Sequence, residues 1–209
     1  MQQILYSVIL KRITLWITLL VSFFAGSLIG VIADADEITQ DFVRFHIVAN
    51  SNTEQDQTVK WKVREAIFSE MDFSSIDSKE SAIRYFTENQ EKIKEIANEV
   101  LLENHFPYHC LVSVEKKQFP IREYTNFVLP SGEYDAVSVI LGEGKGENFF
   151  CVMYPSLCMI EGVTEQTESE QELLNNVLTE KTAAVITGNK KQLVYKFKIA
   201  EIFKKVLPH

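Results

Sequence analysis

The side chains best suited to nucleophilic chemistry are scattered along the chain. His46 lies in an apolar run, and Ser131, Cys151 and Cys158 are far from it in sequence. A serine or cysteine nucleophile needs a histidine base that is itself held by a third group, and the nucleophile is recognised by its local setting. None of the three candidates has a recognisable nucleophile motif, so we expect a protein that is not an enzyme.

Two carboxylates, Glu133 and Asp135, lie at the start of a predicted strand, where alternation places both on one face. Paired carboxylates cleave glycosidic bonds, but an acidic chain contains many accidental pairs. A secreted cell-envelope hydrolase therefore stays open as an alternative function, beside a structural envelope protein.

Three alternating glycines, Gly142, Gly144 and Gly146, superficially resemble a phosphate-binding loop. That motif requires a helix directly after the glycines. Residues 148–152 have the composition of a strand instead. We therefore interpret the glycines as a hairpin turn between two strands, where they tolerate positive φ.

A metal site needs three or four convergent ligands. His105, His109 and Cys110 cluster at a helix-to-strand junction without a second pair of ligands nearby, so we predict no metal and no cofactor.

Two of the three cysteines, Cys151 and Cys158, are separated by six residues that include Pro155. A turn there would bring them together, and an oxidising compartment would permit a disulfide. Two unpaired, buried thiols fit the same spacing. Cys110 is left over as a buried thiol.

An export segment precedes the rest of the chain. Residues 13–32 are twenty consecutive uncharged residues, which as a helix span roughly the 30 Å core of a bilayer. Lys11 and Arg12 precede them and acidic residues follow, so the acidic end is expected to cross the membrane. Residues 33–35, Ala-Asp-Ala, have the form of a signal-peptidase site with cleavage before Asp36, whereas the length of the run suits an uncleaved anchor.

The exported part is acidic. Without Lys11, Arg12 and Asp34 it keeps 19 of the 21 basic and 28 of the 29 acidic residues, a net charge of −9. This balance gives no general attraction to nucleic acid or anionic lipid. We expect no nucleic-acid partner, and contact with a membrane through the N-terminal segment.

Hydrophobic periodicity predicts α/β (α+β) architecture: a mainly antiparallel sheet with two helices packed on one face, after an N-terminal transmembrane or signal helix. The predicted strands are residues 41–49, 108–115, 121–129, 134–141 and 149–154, and the predicted helices start at Thr53 and Ser78. We divide the chain into residues 1–35 (signal peptide or anchor), 36–160 (core domain) and 161–209. The last part holds an acidic linker and a C-terminal extension, with a strand at 194–199 followed by a helix.

Two blocks of sequence resemble the stage II sporulation protein R family of spore-forming Firmicutes. The first is the strand Phe-Val-Arg-Phe-His-Ile-Val-Ala-Asn-Ser at residues 42–51, and the second runs from Pro-Ser-Gly-Glu-Tyr-Asp-Ala at residues 130–136 through the glycines to Cys151 and Cys158. The blocks occur in the family's order after a matching export segment. Phe149 and Phe150 stand where the family usually has two tryptophans.

The resemblance implies an intercompartmental signal. Such proteins are exported from the forespore into the space between forespore and mother cell. There they activate a membrane-embedded aspartic protease in the mother-cell membrane, which cleaves the sigma-E precursor. A signal of this kind requires differential affinity for the active state of its receptor.

Three polar residues of the first block are our candidates for contact with that partner. Arg44 and His46 are two apart on the first strand, and Asn50 would share their face if the strand continued. The alternative is a buried network in which Arg44 and His46 bind Glu133 or Asp135.

Overall fold

The computed structural model describes residues 2–124, 127–155, 157 and 178–206. The helices in these ranges are α1 (Gln2–Asp41), α2 (Glu54–Glu70), α3 (Lys79–Glu88), α4 (Gln90–Glu103), α5 (Glu180–Thr187) and α6 (Lys190–Val206). The strands are β1 (Val43–Val48), β2 (Cys110–Phe119), β3 (Arg122–Glu123), β4 (Val128–Leu129), β5 (Gly132–Leu141) and β6 (Asn148–Tyr154).

A four-stranded sheet in the order β2-β5-β1-β6 forms the centre of the fold. β1 pairs in parallel with β5 and antiparallel with β6, and β2 pairs antiparallel with β5. The predicted mixed α/β class with a mainly antiparallel sheet is confirmed. All six residues of β1 are buried, since both faces of this strand are covered.

The glycine-rich segment connects β5 to β6, but it is not a hairpin. β1 lies between these two strands, so the connection must cross the end of β1. Gly142 and Gly144 have φ of +56° and +61°, as expected for a turn. The predicted hairpin is wrong because the neighbour of β6 is a strand from a distant part of the sequence.

One face of the sheet is covered by α2, α3 and α4, whose apolar residues form a first core. We expected two helices here, and the structure has three. The second predicted helix is divided at Asn89, whose backbone (φ −104°, ψ 12°) departs from helical geometry. Its side-chain Nδ2 donates to the carbonyl oxygen of Tyr85, 2.8 Å away, which helps to end α3.

The other face is covered by the end of α1, by α5 and α6, and by a small sheet of β3 and β4. The prediction of one strand over residues 121–129 is wrong, because β3 and β4 pair with each other outside the main sheet. The predicted strand at residues 194–199 is also wrong: α6 is helical throughout. Its buried residues Leu193, Phe197 and Ala200 recur at helical spacing, and this burial overrides the local alternation.

Helix α1 continues past the predicted cleavage site into the folded domain. It is long and apolar enough over Lys11–Asp41 to cross a membrane. Ala35 and Ile38 on its last turns are 2% and 1% exposed in the second core. The division of the chain at residue 35 stays a prediction, and the acidic run predicted as a linker lies outside the described residues.

Candidate functional site

Arg44 lies on the central strand with its side chain fully buried. Its Nη2 donates to the hydroxyl of Tyr124 at 3.0 Å, and its Cζ lies 4.6 Å and 5.0 Å from the ring centroids of Phe119 and Tyr134. Nε and Nη1 have no hydrogen-bond partner among the described residues. The guanidinium is therefore held mainly by the faces of aromatic rings, which attract a desolvated cation.

His46 lies on the same face of β1, two residues further on. Its Nε2 is 2.7 Å from Oγ of Ser138, to which Lys117 Nζ donates at 3.4 Å. The imidazole stacks on Phe150 with 6.0 Å between centroids. Burial, together with the charges of Lys117 and Arg44, lowers the pKa of His46 to about 4. The ring is therefore neutral at physiological pH.

The pair of His46 and Ser138 has the distance of a catalytic dyad but not its setting. Ser138 is fully buried, and Nδ1 of His46 has no partner among the described residues, where a triad would have a carboxylate. The two residues are partners in the parallel register of β1 and β5. The bond thus joins two central strands, and no substrate reaches the hydroxyl in this conformation.

The buried alternative considered for Arg44 and His46 named Glu133 or Asp135 as their partners. In the structure the partners are Tyr124 and Ser138, while Asp135 pairs with Lys79 at 2.7 Å. Both candidates are thus buried, and a role in partner contact stays a prediction.

Asn50 is separated from these two residues, because β1 ends at Val48. Its Oδ1 accepts from the backbone N–H of Glu143 at 2.9 Å, and its Nδ2 donates to Oδ2 of Asp56 at 2.9 Å. Asp56 is buried, which raises its pKa, but hydrogen bonds from Ser51, Tyr108, Asn50 and Thr53 outweigh burial and lower it. Through its hydrogen bonds to Glu143 and Asp56, Asn50 fastens the glycine-rich connection to the start of α2.

Of the three cysteines, Cys110 and Cys151 lie in the described part of the chain. Cys110 is a free thiol whose pKa burial raises to about 11, which makes it unreactive. Cys151 is buried on β6, and Cys158 lies outside the described residues, so their pairing stays a prediction. In the described part of the chain no three His, Cys, Asp or Glu side chains converge as metal ligands. His105 and His109 lie in this part and belong to no such group.

A surface cleft of about 320 Å³ is lined in part by Tyr124 and Phe150, the rings that contact the two buried residues. We name it the Trp61 cleft; its lining includes Trp61, Arg122, Tyr124, Phe149 and Phe150. Two of these rings connect it to the interior, since Tyr124 accepts the hydrogen bond of Arg44 and Phe150 stacks on His46. The buried pair therefore positions part of the lining of an accessible surface.

Trp61 and Arg122, which line the cleft, were not among the site residues predicted from the sequence. Trp61 is 50% exposed on α2, and the guanidinium carbon of Arg122 lies 3.9 Å from the ring centroid of Phe150. Arg64 adds a second guanidinium 5.4 Å from Phe149. A tryptophan between Lys60 and Lys62, off the apolar face of α2, was the signal that could have revealed the cleft.

Comparisons with known proteins identify the family. The family model described as stage II sporulation protein R matches residues 39–164, which contain the whole sheet. The stage II sporulation protein R of Bacillus subtilis (strain 168) is 35% identical over 137 residues, 65% of this chain and 61% of that relative. The match thus spans less than two thirds of the relative's length. No solved structure matches the chain. The chain belongs to the stage II sporulation protein R family.

Proposed function

We propose that this protein is a sporulation signal exported from the forespore into the intermembrane space. It activates a membrane-embedded aspartic protease of the mother-cell membrane, which then cleaves the sigma-E precursor. The observation that carries the proposal is the family match, directly after a helix long and apolar enough to cross a membrane. Activation of a receptor requires a surface that binds its active state better, and no chemistry by the signal itself.

The Trp61 cleft is the surface that we assign to this contact. Tryptophan and arginine side chains dominate the binding energy of many protein interfaces. Trp61 and Arg122 supply both types on one shallow surface. Arg44 and His46 contribute indirectly, because they contact Tyr124 and Phe150 in the lining of the cleft. Asn50 contributes by holding the connection that leads into β6.

Co-expression with the protease and its precursor substrate in a non-sporulating host tests the function. We expect precursor cleavage that requires this protein and its apolar helix. Replacing Leu19 and Phe23, which are 53% and 73% exposed, by arginine disrupts the apolar part of α1 away from the folded domain, and should abolish cleavage. Cleavage that is equally strong with this variant, or without the protein, would contradict the proposal.

The contact surface has its own variants. Trp61→Ala and Arg122→Ala should each lower precursor cleavage about tenfold, which corresponds to about 1.4 kcal/mol of binding energy. Leu111→Ala serves as the matched control, because Leu111 is 66% exposed on strand β2. If the control lowers cleavage as much as the two cleft variants do, the assignment of the cleft is wrong.

The Ser138–His46 geometry does not favour the hydrolase alternative. Turnover of peptidoglycan by the purified protein would revive it. A deletion strain with an altered septum but normal precursor cleavage would favour the structural alternative.

A further inference from the structure

Helix α6 has two apolar faces. Leu193, Phe197 and Ala200 are buried against the domain. On the other side Tyr195, Ile199, Ile202 and Phe203 are 69%, 48%, 58% and 40% exposed. Their spacing of four, three and one residues places them on one stripe. A helix that is already packed on one face has no need of a second apolar stripe for folding.

The stripe lies where the apolar segment of α1 ends. Phe203 lines a groove together with Phe24, Leu28 and Ile32 of α1. The next residue, Lys204, pairs with Asp36. Near the other end of α6, Gln192 lies in a cleft with Val31 and Asp34. Helix α6 therefore crosses α1 at the level of residues 31–36, where a bilayer around residues 13–32 has its interface.

Exposed lysines border the stripe. Lys191, Lys198 and Lys205 recur every seven residues along one edge, and Lys196 lies at the other edge. Lys205 also pairs with Glu201 of the same helix at 2.8 Å and remains 73% exposed. These charges contrast with the formal net charge of −8 of the whole chain. An apolar stripe bordered by lysines is typical of helices that lie in the plane of the headgroups.

We propose that α6 binds the bilayer surface through this second face, with its apolar stripe at the acyl boundary and its lysines on anionic lipid headgroups. The direction of the stripe supports this occupant, because Phe203 shares a groove with side chains of the membrane-length helix itself. The inference requires insertion of α1 but not the signalling role, so the two proposals can fail separately.

Photocrosslinking of the full-length chain in phosphatidylcholine–phosphatidylglycerol vesicles tests this contact. The photoreactive residue p-benzoylphenylalanine replaces Ile199 or Ile202, one at a time. Matched controls place it at Leu102 or Leu111, which are 75% and 66% exposed outside α6. We expect lipid adducts on α6 at least fivefold more often than at the control positions. Equal yields, or crosslinks to a second copy of the chain instead of lipid, would overturn the proposal.

A charge variant tests the headgroup specificity. Replacing Lys191, Lys198 and Lys205 together by glutamine should lower the adduct yield at Ile199 about threefold in vesicles with phosphatidylglycerol. In pure phosphatidylcholine the same variant should change little. An equal effect in both lipids would show that the lysines do not recognise negative headgroups, and that part of the proposal would fail.

Discussion

Arg44 donates a hydrogen bond of 3.0 Å to the hydroxyl of Tyr124, a residue 80 positions further along the chain. The bond links the central strand to the small sheet of β3 and β4. Tyr124 in turn stacks on Phe127 with 4.5 Å between centroids. A buried cation thus orients an aromatic ring of the Trp61 cleft, which makes the interior and the proposed contact surface interdependent.

Substitutions of Arg44 separate its packing from its charge. Arg44→Ala should lower the free energy of unfolding by about 3 kcal/mol, because it leaves a cavity among three rings. Arg44→Met fills that volume and removes Nε and Nη1, which have no hydrogen-bond partner among the described residues, so it should stay within about 1 kcal/mol of the parent. Urea denaturation in detergent measures both, with the exposed Arg84→Ala as control. A variant with methionine as unstable as the one with alanine would contradict this explanation.

His46 should make stability depend on pH between about 4 and 6.5. The folded-state pKa of about 4 lies below the ordinary value of 6.5, so the unfolded chain binds the proton more readily. The stability that goes with the neutral ring is fully present above pH 6.5. As the pH falls towards 4 it is lost, which lowers the free energy of unfolding by up to about 3 kcal/mol. His46→Gln should show a flatter profile over this window in denaturation curves. Parallel profiles for the two proteins would refute the assignment.

Gly146 should not tolerate a side chain. A Cβ at this position would lie within 2.2 Å of the carbonyl oxygen of Ser51, which is backbone and cannot move aside cheaply. Gly146→Ala should therefore cost about 2 kcal/mol or more. At Gly188 the nearest atom would be 3.7 Å away, so Gly188→Ala is the matched control. Equal denaturation midpoints for the two variants would disprove the close approach.

Cleavage before Asp36 should compete with folding. The carbonyl of that bond belongs to Ala35, which is 2% exposed within a continuous helix. Ile38→Asp loosens the last turns of α1 and should raise the cleaved fraction at least twofold, as measured by mass spectrometry of the exported protein. Gln40→Ala, an exposed change on the same turns of α1, should leave that fraction unchanged. Complete cleavage of the parent chain would show that folding gives no protection.

Local patterns predicted what local interactions decide. The amphipathic period and the cap at Thr53 located α2, and alternation located β5 and β6. The predictions that were wrong concern segments whose structure depends on residues distant in sequence. The strand predicted at 194–199 is helical because Leu193, Phe197 and Ala200 face a core built from other elements, and the hairpin failed because β1 inserts between β5 and β6.

Only part of the candidate site could be predicted, because some of its features follow from the local pattern and others depend on distant residues. Placing Arg44 and His46 on one face needed only the period of a strand. Their burial was one of two alternatives in the sequence, and the rings that cover them, Phe119 and Phe150, come from two other strands.

Because α1 runs unbroken from the apolar segment to Asp41, no hinge separates that segment from the folded domain. Residues 33–41 form a rigid rise of roughly 14 Å, from about 1.5 Å per residue. In the uncleaved form, the height and the rotation of the domain above the bilayer are then set by geometry and not by tether length. The Trp61 cleft would face one fixed direction, so a receptor in an apposed membrane would meet an oriented surface instead of a freely tumbling one.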